Sequence, residues 1–226
     1  MNGFSNEWDE IYLDNLQITS WPWTDLVSLV YRHCKDIILS GNGAVLELGS
    51  GAGPNIPFIQ SLKMDYYGIE GSPTVVKRLH QKYPELKETV ILSDFTNIKS
   101  FIGIPKIDIV IDRASVTHNN LSAIQDTLKN CYRKLNNRGY FIGIDWFSTK
   151  HADFKLGVES VDKNTRMNIK SGQFEHVGNV HFSNEKHLRS LFSDYEIVVL
   201  EEKVINSYES KIGHQFASWN IVAKKK

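Results

Sequence analysis

The sequence lacks most of what would mark a secreted, membrane-spanning or nucleic-acid-binding protein. Only two of its 226 residues are cysteines, Cys34 and Cys131. They lie far apart and in no metal-ligand spacing, which argues against a disulfide framework and suits two buried thiols in a reducing compartment. No apolar run approaches the roughly 20 residues that cross a bilayer. The opening Met1-Asn2-Gly3-Phe4-Ser5-Asn6-Glu7 carries an acid early and no basic-then-apolar order, so no secretory signal is expected and a cytoplasmic location is. Neither sign of charge is in excess: 26 Lys and Arg balance 26 Asp and Glu. Such a chain has no general attraction for nucleic acid or anionic lipid. Lys224-Lys225-Lys226 is a solvated end rather than a patch. The expected partner is therefore a small molecule, with no nucleic acid and no membrane, the chain being a monomer or a homodimer.

What is present is the composition of an ordinary folded domain, 41% hydrophobic and 23% charged. Strand-like runs alternate with helix-like stretches. The runs are Ala44–Leu48, Tyr66–Ile69, Val90–Leu92, Ile107–Ile111 and Tyr140–Ile144. Apolar residues at helical spacing fill two of the intervals, Val75, Val76, Leu79 and Tyr83 in one and Ile124, Leu128, Cys131 and Leu135 in the other. Asn136-Asn137-Arg138-Gly139 reads as a polar stop with a C-cap glycine. Ser183-Asn184-Glu185-Lys186 reads as a capping-box-like start to a helix through Leu188, Leu191 and Phe192. Tyr195–Val204 and Gln215–Ala223 read as a closing hairpin at one sheet edge. Alternation of this kind predicts an α/β protein, a three-layer α/β/α sandwich with a mostly parallel sheet. One domain is expected over 1–226. Within it, 1–42 would be an N-terminal helical lid, 43–146 the cofactor-binding core, 147–182 a substrate lid or insertion, and 183–226 the last helix and edge strands. Within the insertion, 171–182 looks like a hairpin turning at Val177-Gly178-Asn179.

The most informative segment is Val45-Leu-Glu-Leu-Gly-Ser-Gly-Ala-Gly-Pro-Asn55. Three alternating glycines end a strand, where bare backbone permits positive φ and close approach of a ligand. A dinucleotide fingerprint would need glycine at Pro54, and a phosphate-cradling loop would need a Gly-Lys pair that is absent. The segment resembles motif I of the class I S-adenosylmethionine-dependent methyltransferases, an acid-x-Gly-x-Gly-x-Gly pattern matched by Glu47, Gly49, Gly51 and Gly53. Glu70 ends the second strand and Asp94 follows the third, as in that family. The resemblance covers about residues 40–146 and extends more loosely beyond them. It implies a Rossmann-like fold whose seven-stranded sheet has an antiparallel last strand. It also implies S-adenosyl-L-methionine as cofactor and S-adenosyl-L-homocysteine as product. The motif with Ser50 and Asn55 would face the methionine portion, where backbone N–H groups suit a carboxylate. Glu70 and Gly71 would grip the ribose, Asp94 the adenine amino group, and Phe95 would cover the ring. Arg113 would contact the methionine portion, and Trp23 would lie close enough for cation–π attraction to a sulfonium.

The acceptor is expected after the fourth and fifth strands. His118 is the preferred general base, its ordinary pKa being near working pH, and Asp112 would contact the methionine portion beside Arg113 or instead orient the acceptor. Tyr12, Trp21, Asp145, Trp146 and His176 are candidate acceptor contacts, with packing or surface roles competing for Tyr12, Trp21 and His176. Asp112, Asp145 and Asn119 or Asn120 offer oxygen ligands for magnesium, but ordinary loop chemistry explains the same residues and no metal is expected. Trp21-Pro22-Trp23, Asp112-Arg-Ala-Ser115 and Val180-His-Phe182 are similar to segments of bacterial methyltransferases of surface-sugar or secondary metabolism. The expected function is O- or N-methylation of a small molecule, possible acceptors including a sugar or secondary metabolite. The alternatives are RNA or protein methylation, for which the Asn/Asp-Pro-Pro-Tyr loop is missing, and a non-catalytic S-adenosylmethionine-binding module.

Overall fold

The computed structural model describes residues 3–14, 19–209 and 214–226. Among them α1 (Glu7–Leu13), α2 (Thr24–His33) and α3 (Lys35–Ser40) precede β1 (Ala44–Leu48). Then come α4 (Ile56–Ser61), β2 (Asp65–Glu70), α5 (Pro73–Lys82), β3 (Val90–Leu92), β4 (Ile107–Arg113), α6 (Leu121–Lys134) and β5 (Leu135–Phe147). The short strands β6 (Val158–Glu159), β7 (Thr165–Met167) and β8 (Val180–His181) follow, then α7 (Glu185–Leu191), β9 (Tyr195–Asn206) and β10 (Gln215–Lys225). The main sheet runs β3-β2-β1-β4-β5-β10-β9. Its first five strands are parallel, and β10 is antiparallel to both neighbours. The Rossmann-like, seven-stranded expectation holds.

Strands covered on both faces must be apolar on both. One face packs Val45, Ile109, Ile111, Ile142 and Val222 under α2, α4 and α5. The other packs Leu46, Leu48, Val110, Phe141 and Ile221 under α6 and α7. Leu26, Leu29 and Val30 of α2 belong to the first core, so this part of the N-terminal segment is a layer of the sandwich. The order of strands leaves a switch point between β1 and β4, at whose carboxyl ends a crevice must open.

Three expectations of local structure fail. Gly139 is no helix cap: α6 stops at Lys134 and β5 starts at once, running through Asn136 and Asn137. The polar side chains are accommodated because the Asn136 amide donates to Asp108 at 2.7 Å, and a register irregularity lets Arg138 turn at φ 66°. Helix α7 is capped by Asn184, whose side chain accepts from His187 N–H, not by Ser183. No hairpin spans 171–182, since β8 pairs with β7 and places the fully buried His181 beside Thr165. Residues 210–213, within the connection of the last two strands, lie outside the described residues.

Candidate functional site

A cavity of about 520 Å³ occupies the switch point. Gly49, Gly51 and Gly53 turn the chain after β1 at φ 70°, 50° and 73°, a left-handed path that disfavours side chains. A Cβ on Gly51 would come within 2.9 Å of the Tyr12 hydroxyl, and one on Gly49 would collide with Ser115. Gly49 and Gly51 line the cavity. Gly53 lets Ile56 and Leu79 pack close instead, and does not face the cavity.

Acids at or just after the ends of the first three strands, Glu47, Glu70 and Asp94, border the same cavity. Glu47 is buried and accepts from the Asn55 amide at 2.7 Å and from the Tyr66 hydroxyl. Burial pushes its pKa up to about 7, against the pull of those two donors. Glu70 accepts from Gly51 N–H at 2.9 Å and Ser72 N–H at 2.8 Å. Burial raises its pKa while the backbone donors oppose the rise. Asp94 accepts from Thr96 N–H at 2.8 Å and, across the chain, from Phe4 N–H at 3.2 Å. The Phe4 ring presses on Gly71, and Asp9 of α1 bonds Ser72 and Thr74 at the start of α5. Thus residues 3–14 rim the cavity over the ends of β2 and β3. Ser50, Gly71, Phe95 and Trp23 also line it.

Arg113 is half-exposed in the wall, stacked 3.8 Å over Trp23 and 3.3 Å from the Asp145 carboxylate. Asp145 does not line the cavity. It sits at φ 56° in an irregular stretch of β5 and also meets Lys203 at 2.7 Å and Ser218 at 3.0 Å. Lys203 in turn pairs with Asp25 at 2.6 Å. Burial works against the Lys203 charge, but the two carboxylates outweigh it and hold its pKa above the ordinary value. Asp145 is therefore an anchor for Arg113, not an acceptor contact.

Asp112 also leaves the cavity. It is buried and accepts from Ser115 N–H and Val116 N–H, each at 3.1 Å, and from the Trp146 indole N–H at 2.7 Å. Burial lifts its pKa to about 7 against those donors. Its work is to fold the turn after β4, where Ala114 takes φ 60° at a cost of about 1–2 kcal/mol for an L-residue. Trp146 is buried in the core against Phe141 and Phe192. Trp21 is 80% exposed and outside the cavity. Both were expected near substrate, and neither lines the cavity.

His118 does line the cavity and is half-buried there. Its ring stands edge-on to Trp8 at 4.6 Å, Phe147 at 5.6 Å and Phe174 at 6.0 Å. Burial lowers its pKa to about 4, only partly opposed by a hydrogen bond to the Asn179 backbone. The ring is therefore neutral, and its Nδ1 is shielded and without a hydrogen-bond partner. Tyr12 lines the same space, its hydroxyl pKa raised by burial. His176 is a rim residue whose side chain is 86% exposed. Composition alone gave no hint that Trp8, Phe147, Phe174 and Phe216 would join this wall.

His151, Asp153 and His214 bring potential ligand atoms within 4.8 Å of one another. Yet His151 Nδ1 already accepts from Asp153 N–H at 3.1 Å, and its Nε2 lies 3.3 Å from the Gln173 side-chain oxygen. Asp153 Oδ2 accepts from Phe174 N–H at 2.9 Å. A ring with both nitrogens engaged is a brace, and here it braces the 173–174 wall of the cavity. The magnesium set Asp112, Asp145 and Asn119 or Asn120 is not assembled either, because the first two carboxylates are committed to N–H and cationic partners.

Residues 46–143 match the family described as Methyltransferase domain. The match covers less than half of the chain and identifies this stretch as a methyltransferase domain. The chain is therefore a methyltransferase, and the cofactor that its glycine motif implies by resemblance is S-adenosylmethionine. No curated protein matches the sequence. Solved structures share the fold at low identity. A Methanosarcina mazei S-adenosylmethionine-dependent methyltransferase aligns at TM-score 0.66 and 15% identity over 91% of this chain and 98% of that one. The Burkholderia thailandensis 1,6-didemethyltoxoflavin-N1-methyltransferase, with its substrate and S-adenosylhomocysteine bound, aligns at 0.64 and 15% over 98% and 86%. Magnesium protoporphyrin IX methyltransferase from Synechocystis aligns at 0.55 and 15% over 98% and 90%. The cavity suits the family's cofactor: the glycine turn is bare where a Cβ would intrude, and the buried Asn55 side-chain oxygen beside it has no hydrogen-bond partner.

Proposed function

We propose that this methyltransferase acts on a small-molecule acceptor, held at the end of the cavity walled by Trp8, His118, Phe147 and Phe174. One observation carries the reading: the glycine turn, the three strand-end acids and this aromatic end all border one cavity of about 520 Å³. A single enclosed space is what alignment of two small reactants requires.

In this reading Glu70 binds the ribose hydroxyls, and Asp94 with Phe95 holds the adenine. Arg113, fixed by Trp23 and Asp145, meets the carboxylate, while Asn55 and Glu47 face the positive groups. The bound cofactor supplies an electrophilic methyl on a sulfonium, which leaves as a thioether when the acceptor attacks in line. The protein's part is to orient that acceptor and to exclude water. His118, kept neutral by burial, offers Nδ1 to the proton the acceptor must lose, once the Trp8 ring on α1 gives way. The neighbours named for toxoflavin and protoporphyrin chemistry support a small acceptor over a macromolecule. The lining also argues against RNA, since Arg113 is its one guanidinium or ammonium group among the described residues.

The test is calorimetric titration with S-adenosylhomocysteine, followed by transfer of labelled methyl across amines, phenols, sugars and short RNA. Transfer to RNA alone, or no binding of the cofactor product, would end the reading.

A further inference from the structure

The end of the cavity beyond the cofactor-binding half has a composition that narrows its occupant, and the inference rests on the reading just given. Trp8, Phe147, Phe174 and Phe216 line it, and Ile11 and Val177 complete the apolar surface. Phe147 and Phe174 lie 4.4 Å apart by ring centroid, continuous with the edge-on His118. Flat aromatic faces and edges arranged this way favour another ring by offset or edge-to-face contact.

Polar capacity there is small and mostly taken. The Asn119 amide donates to Val116 O at 3.3 Å, and Gln173 is held by His151. Beyond Tyr12, Glu175 and the exposed His176, the several hydroxyls of a sugar would find few partners among these rings, and unpaired buried hydroxyls are costly. Charge points the same way. Four carboxylates, Glu47, Glu70, Asp94 and Glu175, line the cavity against the single guanidinium of Arg113, which is already paired to Asp145. A phosphate or carboxylate on the acceptor would meet net repulsion and no free cation. His118 Nδ1 is left as one acceptor for one proton donor.

We propose that the acceptor is an uncharged, planar aromatic molecule carrying one ring hydroxyl or ring N–H, and not a sugar, a sugar phosphate or a nucleotide sugar. The new bond forms between that oxygen or nitrogen and the methyl carbon while the sulfonium bond breaks, and the proton passes to His118.

Protein saturated with S-adenosylhomocysteine is titrated in turn with 2-naphthol, 7-hydroxycoumarin, methyl glucoside and glucose 6-phosphate. The aromatic probes should bind about tenfold or more tighter than the sugars, the size expected from one or two ring contacts. Trp8→Leu, a change on the half-buried α1, should shrink that preference several-fold. A Phe174→Leu variant, which keeps an apolar side chain but loses the ring face, should do the same. Equal or tighter binding of either sugar, or no binding of both aromatics to the loaded protein, overturns the proposal. Failure of S-adenosylhomocysteine itself to bind is a different result and overturns the reading beneath it.

Discussion

The N–H of Gly51 donates to the carboxylate of Glu70 at 2.9 Å, tying the turn after β1 to the tip of β2. The residue assigned to the ribose thus also sets the path of the loop assigned to the methionine portion. Removing it should cost on both counts. Glu70→Ala is expected to weaken S-adenosylhomocysteine binding by about 1–3 kcal/mol, as for loss of a charged hydrogen-bond partner. Calorimetry gives the answer, and unaltered affinity would remove Glu70 from the site.

Gly51→Ala should abolish measurable cofactor binding while leaving the protein folded. Alanine at φ 50° is strained by about 1–2 kcal/mol, and its methyl would meet the Tyr12 hydroxyl at 2.9 Å. Pairing it with Tyr12→Phe removes the collision but not the backbone strain, so only partial recovery is expected. Full recovery in the double variant would show that the contact alone matters.

Glu47 gives a pH signature in stability. Its pKa is raised from 4.5 to about 7 on folding, chiefly by burial. Between those values the folded state holds more protons than the unfolded state, so this group's contribution falls as pH rises from about 4.5 to 7 and is level above. Glu47→Gln has nothing to ionise, and its amide oxygen can still accept from Asn55 while its N–H donates to the Tyr66 hydroxyl oxygen. It should gain on the parent by up to about 3 kcal/mol, at 1.36 kcal/mol per unit, when urea unfolding at pH 8 is compared with pH 4. A constant difference between the two proteins would contradict the assignment.

If His118 receives the acceptor's proton, His118→Phe should lower kcat far more than it changes cofactor affinity. The pKa near 4 adds a sharper test. The profile of kcat/KM reports groups of the free enzyme, so it should show no acid limb near 6.5, the ordinary histidine value. A limb there would assign the proton to another group.

The brace behind the acceptor wall is separable from the chemistry. His151→Phe removes the bonds to Asp153 N–H and Gln173 but preserves ring packing among Phe174, Phe182 and Phe216. KM for the acceptor should rise several-fold with S-adenosylhomocysteine affinity unchanged. A bound divalent metal in the parent protein, detected by elemental analysis, would replace this account of the cluster.

The cofactor half was legible because its signals are local. Glycine spacing after Leu48 and an acid at the end of each strand are facts of neighbouring residues. The acceptor half is drawn from residues 8, 118, 147, 174 and 216, five segments that share no period. Trp146 and Phe147 show a second limit. Successive strand residues point to opposite faces, so one step of register decides which ring meets the cavity. The sequence favours the larger tryptophan, while the indole's bond to Asp112 sends it into the core and turns Phe147 outward. Asp112 and Asp145 fail as site residues for a related reason. An acid at a strand tip is equally suited to capping a turn or pinning an arginine, and only the fold reveals which donors reach it.

Strand polarity has a practical side. Phe4 is bonded to Asp94 and packed on Gly71, so anything joined ahead of Gly3 starts from the wall of the cavity. Because β10 runs opposite to β5, Lys225 and Lys226 emerge at the far rim of the sheet, where the Lys226 amine bonds Ser193. An affinity handle or fluorophore belongs on that distal end, and a version carrying it in front should bind S-adenosylhomocysteine more weakly than one carrying it behind.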